Sequence, residues 1–405
     1  MIEILVLIAT LFLTKRLSKK LGKKLYIFFI LLTYFSIIVT VSAHYYIVSY
    51  NDSGIATVDP HASDALAPDA TIYYNIGKQF ISEKNNSIIG LALSDIVTLT
   101  QRATTNLGYY IFNIIAFVLS DNPMLLLRLI KILILLLSLI SLAKVWMIKY
   151  GTNYTFKGLF FITFAFWDIY LYNILNLKDG LIMSIAIFLY AQFETFTLIQ
   201  PSVKYNYMRK NNNIKQIVII GFLLLLLASL RFYLSIIFIL SLIFTQFLSL
   251  NRLSTIKSSI SLIIILSLIS LVIYSSGLFH NIEYIINYSL YFPSWSIKGM
   301  LKFIFSPIPW QSTIKLLIPS HVIYLSFLPL IFISIMYSLK SKIKWKAILI
   351  IFSIILIGGV EQLDSKQRLR LFIIPLYASV CIEYLYNKSL KYNLTANSYS
   401  MVLSK

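Results

Sequence analysis

Asn176-Leu177-Lys178-Asp179-Gly180 is a short turn between two apolar runs, with an ammonium and a carboxylate side by side. Arg231-Phe232-Tyr233 occupies a comparable break, and Arg128 stands one turn into another apolar run. Charges at such boundaries are costly and are functional candidates by default, although snorkelling to the interface also accommodates them. Glu361 to Arg370 reads EQLDSKQRLR, ending in Arg368 and Arg370 just before the last apolar run. Arginine's planar fork suits bidentate recognition of phosphate. Lys178, Asp179, Arg128, Arg231, Arg368 and Arg370 are therefore candidates for holding an anionic ligand. A solvated turn or a surface ion network is the alternative reading of each. Asp69, after Pro68, either caps a helix or takes a proton from an attacking hydroxyl. Trp310 and Gln311, in Phe305-Ser306-Pro307-Ile308-Pro309-Trp310-Gln311, suit the face and edge of a sugar ring, or an interfacial anchor. Asp59, His61 and Asp64 lack tight metal-ligand spacing, so no metal site is assigned, and a divalent cation bridging to a substrate phosphate stays open. No Walker loop, Rossmann glycine pattern, zinc-protease helix or nucleophile elbow occurs.

The elements that must position these residues are apolar runs. The 405 residues are 59% hydrophobic and 12% charged, which leads to an all-α polytopic integral membrane protein in place of soluble domains. A β-barrel is excluded because its strands alternate, whereas these runs are continuously apolar. Runs are read at 2–13, 25–49, 124–143, 158–175, 180–199, 216–230, 234–250, 259–277, 321–339, 347–360 and 371–387, about 11 or 12 transmembrane helices by the bilayer-length rule. The whole of 1–405 is read as a single transmembrane domain.

Lysines and arginines sort these runs by side. Lys15 to Lys24, then Lys144, Lys149 and Lys157, then Lys204 to Lys215, then Arg252 and Lys257, then Lys340 to Lys346, fall at alternate ends. Placing them in the cytoplasm satisfies the positive-inside bias. Topology and anionic lipid then account for the net charge of +20, and no basic stripe on a soluble segment points to nucleic acid. Arg102, Arg128, Lys178, Arg231, Arg368 and Arg370 land on the outer side, against the bias, together with most of the acids. An anionic ligand on that face would explain them. Two long outer segments, 51–108 and 278–320, and a cytoplasmic tail, 388–405, complete the layout. Tyr109 to Leu119 covers only about half a span, so it is read as re-entrant or interfacial, like the proline-broken Trp295 to Leu317. Residues 19–43 mimic a signal peptide, but the length of the apolar stretch and the run before it make an uncleaved anchor the expectation. Cys381, the one cysteine, is expected to be a small buried hydrophobe.

The outer Pro-Asp and Tyr-Tyr of the first loop, the Arg128 helix, the Lys-Asp turn, the Pro-Ile-Pro-Trp segment and the final Arg-Leu-Arg together resemble polytopic bacterial glycosyltransferases. These are the GT-C superfamily, which includes protein mannosyltransferases, and the O-antigen polymerases. The resemblance covers most of the chain in layout, through short motifs. It implies a polyprenyl-phosphate or polyprenyl-diphosphate glycan donor, used at the periplasmic face of a bacterial inner membrane. Asp69 would be the general base and the outer arginines the clamp on the lipid phosphate. The tandem acidic pair of the mannosyltransferases is missing at that place. The expected activity is polymerisation of O-antigen or capsule repeat units, alongside chain-length regulators or other polysaccharide-assembly proteins. A single-sugar GT-C transferase is the near alternative. A flippase for the lipid-linked oligosaccharide is the alternative of another class, against which stands the absence of two related halves.

Overall fold

The computed structural model describes residues 1–50, 74, 77–79, 107–165, 170, 173, 178–199, 206–248, 296–305, 318–341, 344–358 and 371–403. The regular structure among them is helical throughout. The helices are α1 (Ile2–Ser18), α2 (Lys23–Tyr50), α3 (Leu107–Leu119), α4 (Pro123–Phe160), α5 (Asp179–Ile199), α6 (Asn206–Leu230), α7 (Phe232–Leu248), α8 (Ile297–Phe305), α9 (Ile318–Lys340), α10 (Trp345–Ser353) and α11 (Ile374–Leu403). Among the described residues, three stretches are long and apolar enough to cross a membrane: Lys23–Ser49, Pro123–Phe164 and His321–Lys340.

The surface is inverted relative to a water-soluble helix pair. On α1 the buried residues are Thr10, Thr14 and Ser18, while Ile4, Leu5, Ile8 and Phe12 are exposed. On α2, Thr33, Ser36, Thr40 and His44 are buried, while Leu31, Tyr34, Ile38 and Tyr45 are exposed. α1 packs against α2, and the buried face of each carries small hydroxyl residues, the kind found where helices meet in lipid. Four of these hydroxyls are satisfied locally: Thr10, Ser18, Thr33 and Ser36 each donate to the carbonyl four residues back. Apolar residues outward and polar residues inward suit hydrocarbon, not water.

The chain divides into two compact units, residues 1–142 with 168–295, and residues 143–167 with 296–405. In the first, α5 packs on α6, α6 on α7 and α3 on α6. The close approach of α3 and α6 is made at Gly108, where any Cβ would run into Ser229. Ala116, Met124, Leu126 and Leu127 form a core at the α3–α4 turn, covered by Ile2 and Val6 of α1, and Glu3 of α1 accepts a hydrogen bond from the Ser120 hydroxyl.

In the second unit, α9 packs on α11, and α10 on both. The short α8 seats the fully buried Phe303 against Gly358, at the end of the π-helical Ile354–Gly358. The α4 helix is broken at Gly151, whose φ of 75° and ψ of 171° lie outside helical space. Trp146 lies against Gly158, whereas twelve residues of straight helix would hold them about 18 Å apart. The chain therefore reverses at Gly151. The turn falls inside the basic loop expected at 144–157, but Lys144 and Lys149 are themselves helical.

Several helices run past the ends of their apolar runs. α6 begins at Asn206, not 216, and α11 continues to Leu403, through most of the expected tail. Hydropathy marks where lipid ends, whereas Lys, Arg and Asn carry a helix onward at small cost.

Candidate functional site

A single residue, Arg231, separates α6 from α7. Its backbone is fully used: its N–H donates to the Leu227 carbonyl at 2.8 Å, and its own carbonyl accepts from the Leu234 N–H at 3.1 Å. That fixes the direction of the side chain. Arg231 Nη2 donates to Asp179 Oδ1 at 2.6 Å, an ion pair with the two residues only 9% and 2% exposed. Asp179 is the first residue of α5. A carboxylate there also complements the helix dipole. Gly180 permits this placement, because a Cβ would sit 2.5 Å from Asn173 Oδ1 and 3.1 Å from the Asn173 backbone nitrogen. Lys178, beside Asp179, is buried.

The third contribution comes from α4. Arg128 and Lys131 are three residues apart and so share a helix face, and both are buried, Lys131 completely. The Lys131 ammonium is within electrostatic reach of both Arg128 and Asp179. His44 of α2 adds a further partner, its Nδ1 meeting Arg128 Nη1 and its Nε2 lying 3.2 Å from Asn122 Nδ2. Because a guanidinium only donates, Nδ1 is the accepting nitrogen and Nε2 carries the ring proton, so His44, and not the Asn122 amide nitrogen beside Nε2, orients Arg128.

The same helices enclose an apolar cleft of about 280 Å³ between α3, α4, α5 and α6, lined among others by Gly108, Ile134, Leu181, Ile185, Leu226 and Leu230. Leu181 follows Asp179 by two residues, Ile134 follows Lys131 by three, and Leu230 immediately precedes Arg231. Lys131, Lys178, Asp179 and Arg231 are thus close chain neighbours of the lining, which itself carries no charged side chain. Buried cations on helices that also line an apolar cleft suit an amphiphile with an anionic head.

Of the residues singled out from sequence, Asp179 and Arg231 are joined directly, Arg128 shares a face of α4 with Lys131, whose ammonium is within electrostatic reach of Asp179, and Lys178 adjoins Asp179. Asp69, Trp310, Gln311, Arg368 and Arg370 lie outside the described residues, as do Asp59, His61 and Asp64. No group of three metal-ligating side chains occurs among the described residues. Two participants were missed. Lys131 was legible as Arg128's i+3 neighbour in LLLRLIKILILLL, and His44 as a lone imidazole in an apolar run.

Lys346 departs from its expected place in a cytoplasmic lysine loop. It is completely buried on α10, and its Nζ donates to Glu383 Oε2 at 2.8 Å, with the Tyr150 hydroxyl 3.3 Å from the same oxygen. A lysine next to an apolar run reads the same in sequence whether it faces water or a carboxylate from another helix.

Comparison with known proteins finds no family model, no curated protein sequence and no solved structure that matches this chain.

Proposed function

We propose that the chain is a multi-pass enzyme of a bacterial inner membrane that transfers glycan from a polyprenyl-phosphate or polyprenyl-diphosphate carrier at the outer face. The specific reading is polymerisation of O-antigen or capsule repeat units. One observation carries it: Arg128, Lys131, Lys178 and Arg231, with Asp179, are all buried on or beside the helices that line an apolar cleft. The carrier's phosphate belongs among the cations and its isoprenoid chain in the cleft.

The chemistry follows from charge. Departure of a polyprenyl diphosphate builds negative charge on the leaving oxygen, and fixed cations in a water-poor site stabilise that charge strongly. Asp179 holds the Arg231 fork in one orientation, and the His44–Arg128 contact does the same for the second guanidinium, so little reorganisation is needed at the moment of transfer. The acceptor hydroxyl needs a base, and Asp69 keeps that proposed role. Arg368 and Arg370 are proposed to close the clamp on the phosphate, and Trp310 with Gln311 to contact the sugar.

The glycan of a deletion strain tests the reading. A polymerase's loss leaves lipopolysaccharide or capsule carrier bearing a single repeat unit. A normal ladder of altered sugar composition would favour the single-sugar transferase, and movement of the carrier without bond cleavage in proteoliposomes would favour the flippase. Arg231→Ala, Arg368→Ala and Arg370→Ala should each shorten the glycan while the protein is still made. Full chain length in all three refutes the clamp.

A further inference from the structure

The second unit holds another apolar groove, of about 410 Å³, with almost no polar lining. Its volume lies in the range of ligand clefts, ~300–1,000 Å³. The return arm of α4 runs antiparallel to α11 along it, with Gly158 against Ile382 and Tyr154 ring-to-ring with Tyr386. Phe160, Phe161 and Phe164 from the α4 side, Phe327 and Leu330 from α9, and Cys381 from α11 line it. Phe160 and Phe164 stack at 4.5 Å and Phe161 meets Phe327 edge-on at 4.8 Å. The backbone here is the π-helical Phe161–Ala165, a distortion frequent at functional sites.

One end of the groove differs from the rest. Tyr150 and Tyr154 both contact Tyr386, and Tyr337 contacts Tyr384, a cluster of rings like the aromatic belt of a membrane–water interface. At the same level the Lys157 ammonium stands 5.3 Å from the Tyr154 ring centroid and the Lys388 ammonium 5.9 Å from that of Tyr384. Both lysines are exposed, and Lys157 belongs to the groups that the positive-inside bias assigns to the cytoplasm. The nearby carboxylate, Glu383, is already engaged by Lys346.

We infer that this groove binds an anionic glycerophospholipid of the cytoplasmic leaflet, with one acyl chain along the phenylalanines and the phosphate between Lys157 and Lys388. Charge complementarity selects the occupant: a groove serving any lipid has no need of two lysines at its interfacial end, and basic pockets between helices on this side are where anionic headgroups settle. The site is separate from the proposed glycan-transfer cleft.

The full-length protein in nanodiscs containing equal fractions of phosphatidylglycerol and phosphatidylcholine tests this, with a diazirine on the acyl chain of one lipid at a time. Photolabelled peptides are mapped by mass spectrometry. Phosphatidylglycerol should label 156–164, 323–330 and 378–385 on the order of 25-fold more than phosphatidylcholine does, about fivefold from each lysine. Each of Lys157→Gln and Lys388→Gln should lower that ratio by about fivefold. Leu330→Trp, which fills the groove, should cut labelling by both lipids while the thermal unfolding of the protein is unchanged. Equal labelling by the two lipids, a ratio insensitive to both lysines, or displacement of phosphatidylglycerol by polyprenyl phosphate but not by unlabelled phosphatidylglycerol would each overturn the inference.

Discussion

Asp179 and Arg231 are each other's buried counter-charge, and Lys131 has been carried fully into the interior of a hydrophobic helix, so the two sets of residues respond differently to substitution. Removing one partner of a buried pair strands the other. Arg231→Ala or Asp179→Ala should each cost about 3–5 kcal/mol, read as a lowered unfolding temperature in detergent. The double variant should cost clearly less than the sum, because neither charge is then left alone. Lys131→Met is expected to behave in the opposite way. A buried ammonium is expensive, and methionine fills a similar volume without that cost, so thermal stability should be unchanged or higher while glycan extension is lost. A large fall in stability would mean that Lys131 serves the fold and not the ligand. At this scale the sequence was partly legible. Arg128, Lys178, Asp179 and Arg231 stood out because each breaks an apolar run. The Asp179–Arg231 pairing joins residues 52 apart in sequence, a contact that no local pattern encodes.

Helices position these groups, and two glycines carry the turns that matter most. Gly180 lies against Asn173, so Gly180→Val should push α5 off its start and misplace Asp179, reducing both stability and glycan extension. Gly151 has open space around it but a φ of 75°. Gly151→Ala should therefore cost about 1–3 kcal/mol of backbone strain, seen as a drop in unfolding temperature with the glycan ladder intact. The existence of the helices was readable from uninterrupted apolarity. Their ends were not: α6 gains its first turns from Asn206, and Lys346 enters α10, because polar residues extend a helix or are neutralised by a neighbour such as Glu383 that the sequence does not announce. Tyr109 to Leu119 does form a short helix, within α3. At ~1.5 Å per residue its 13 residues reach about 20 Å, short of the ~30 Å hydrocarbon core.

For the molecule as a whole, charge sorting and surface inversion point the same way. Apolar residues cover the outside of α1 and α2, and small hydroxyl residues lie on their buried faces. Those features were legible in composition because a bilayer imposes them on every span. The division into two compact units was not, since its first border, between Leu142 and Ala143, falls inside the helix α4 and within one apolar run. The central claim is that the buried cations on the helices of the α3–α6 cleft hold a lipid-borne phosphate while glycan is transferred from it. Its most direct measurement is the release of polyprenyl diphosphate, with concurrent chain growth, from a lipid-linked repeat unit supplied to proteoliposomes containing the wild-type chain, Arg128→Gln or Lys131→Met. The wild type should release carrier and lengthen glycan, and each variant should lose at least tenfold in rate, equivalent to about 1.4 kcal/mol of transition-state stabilisation, while remaining folded. Release at the wild-type rate from both folded variants would contradict the account.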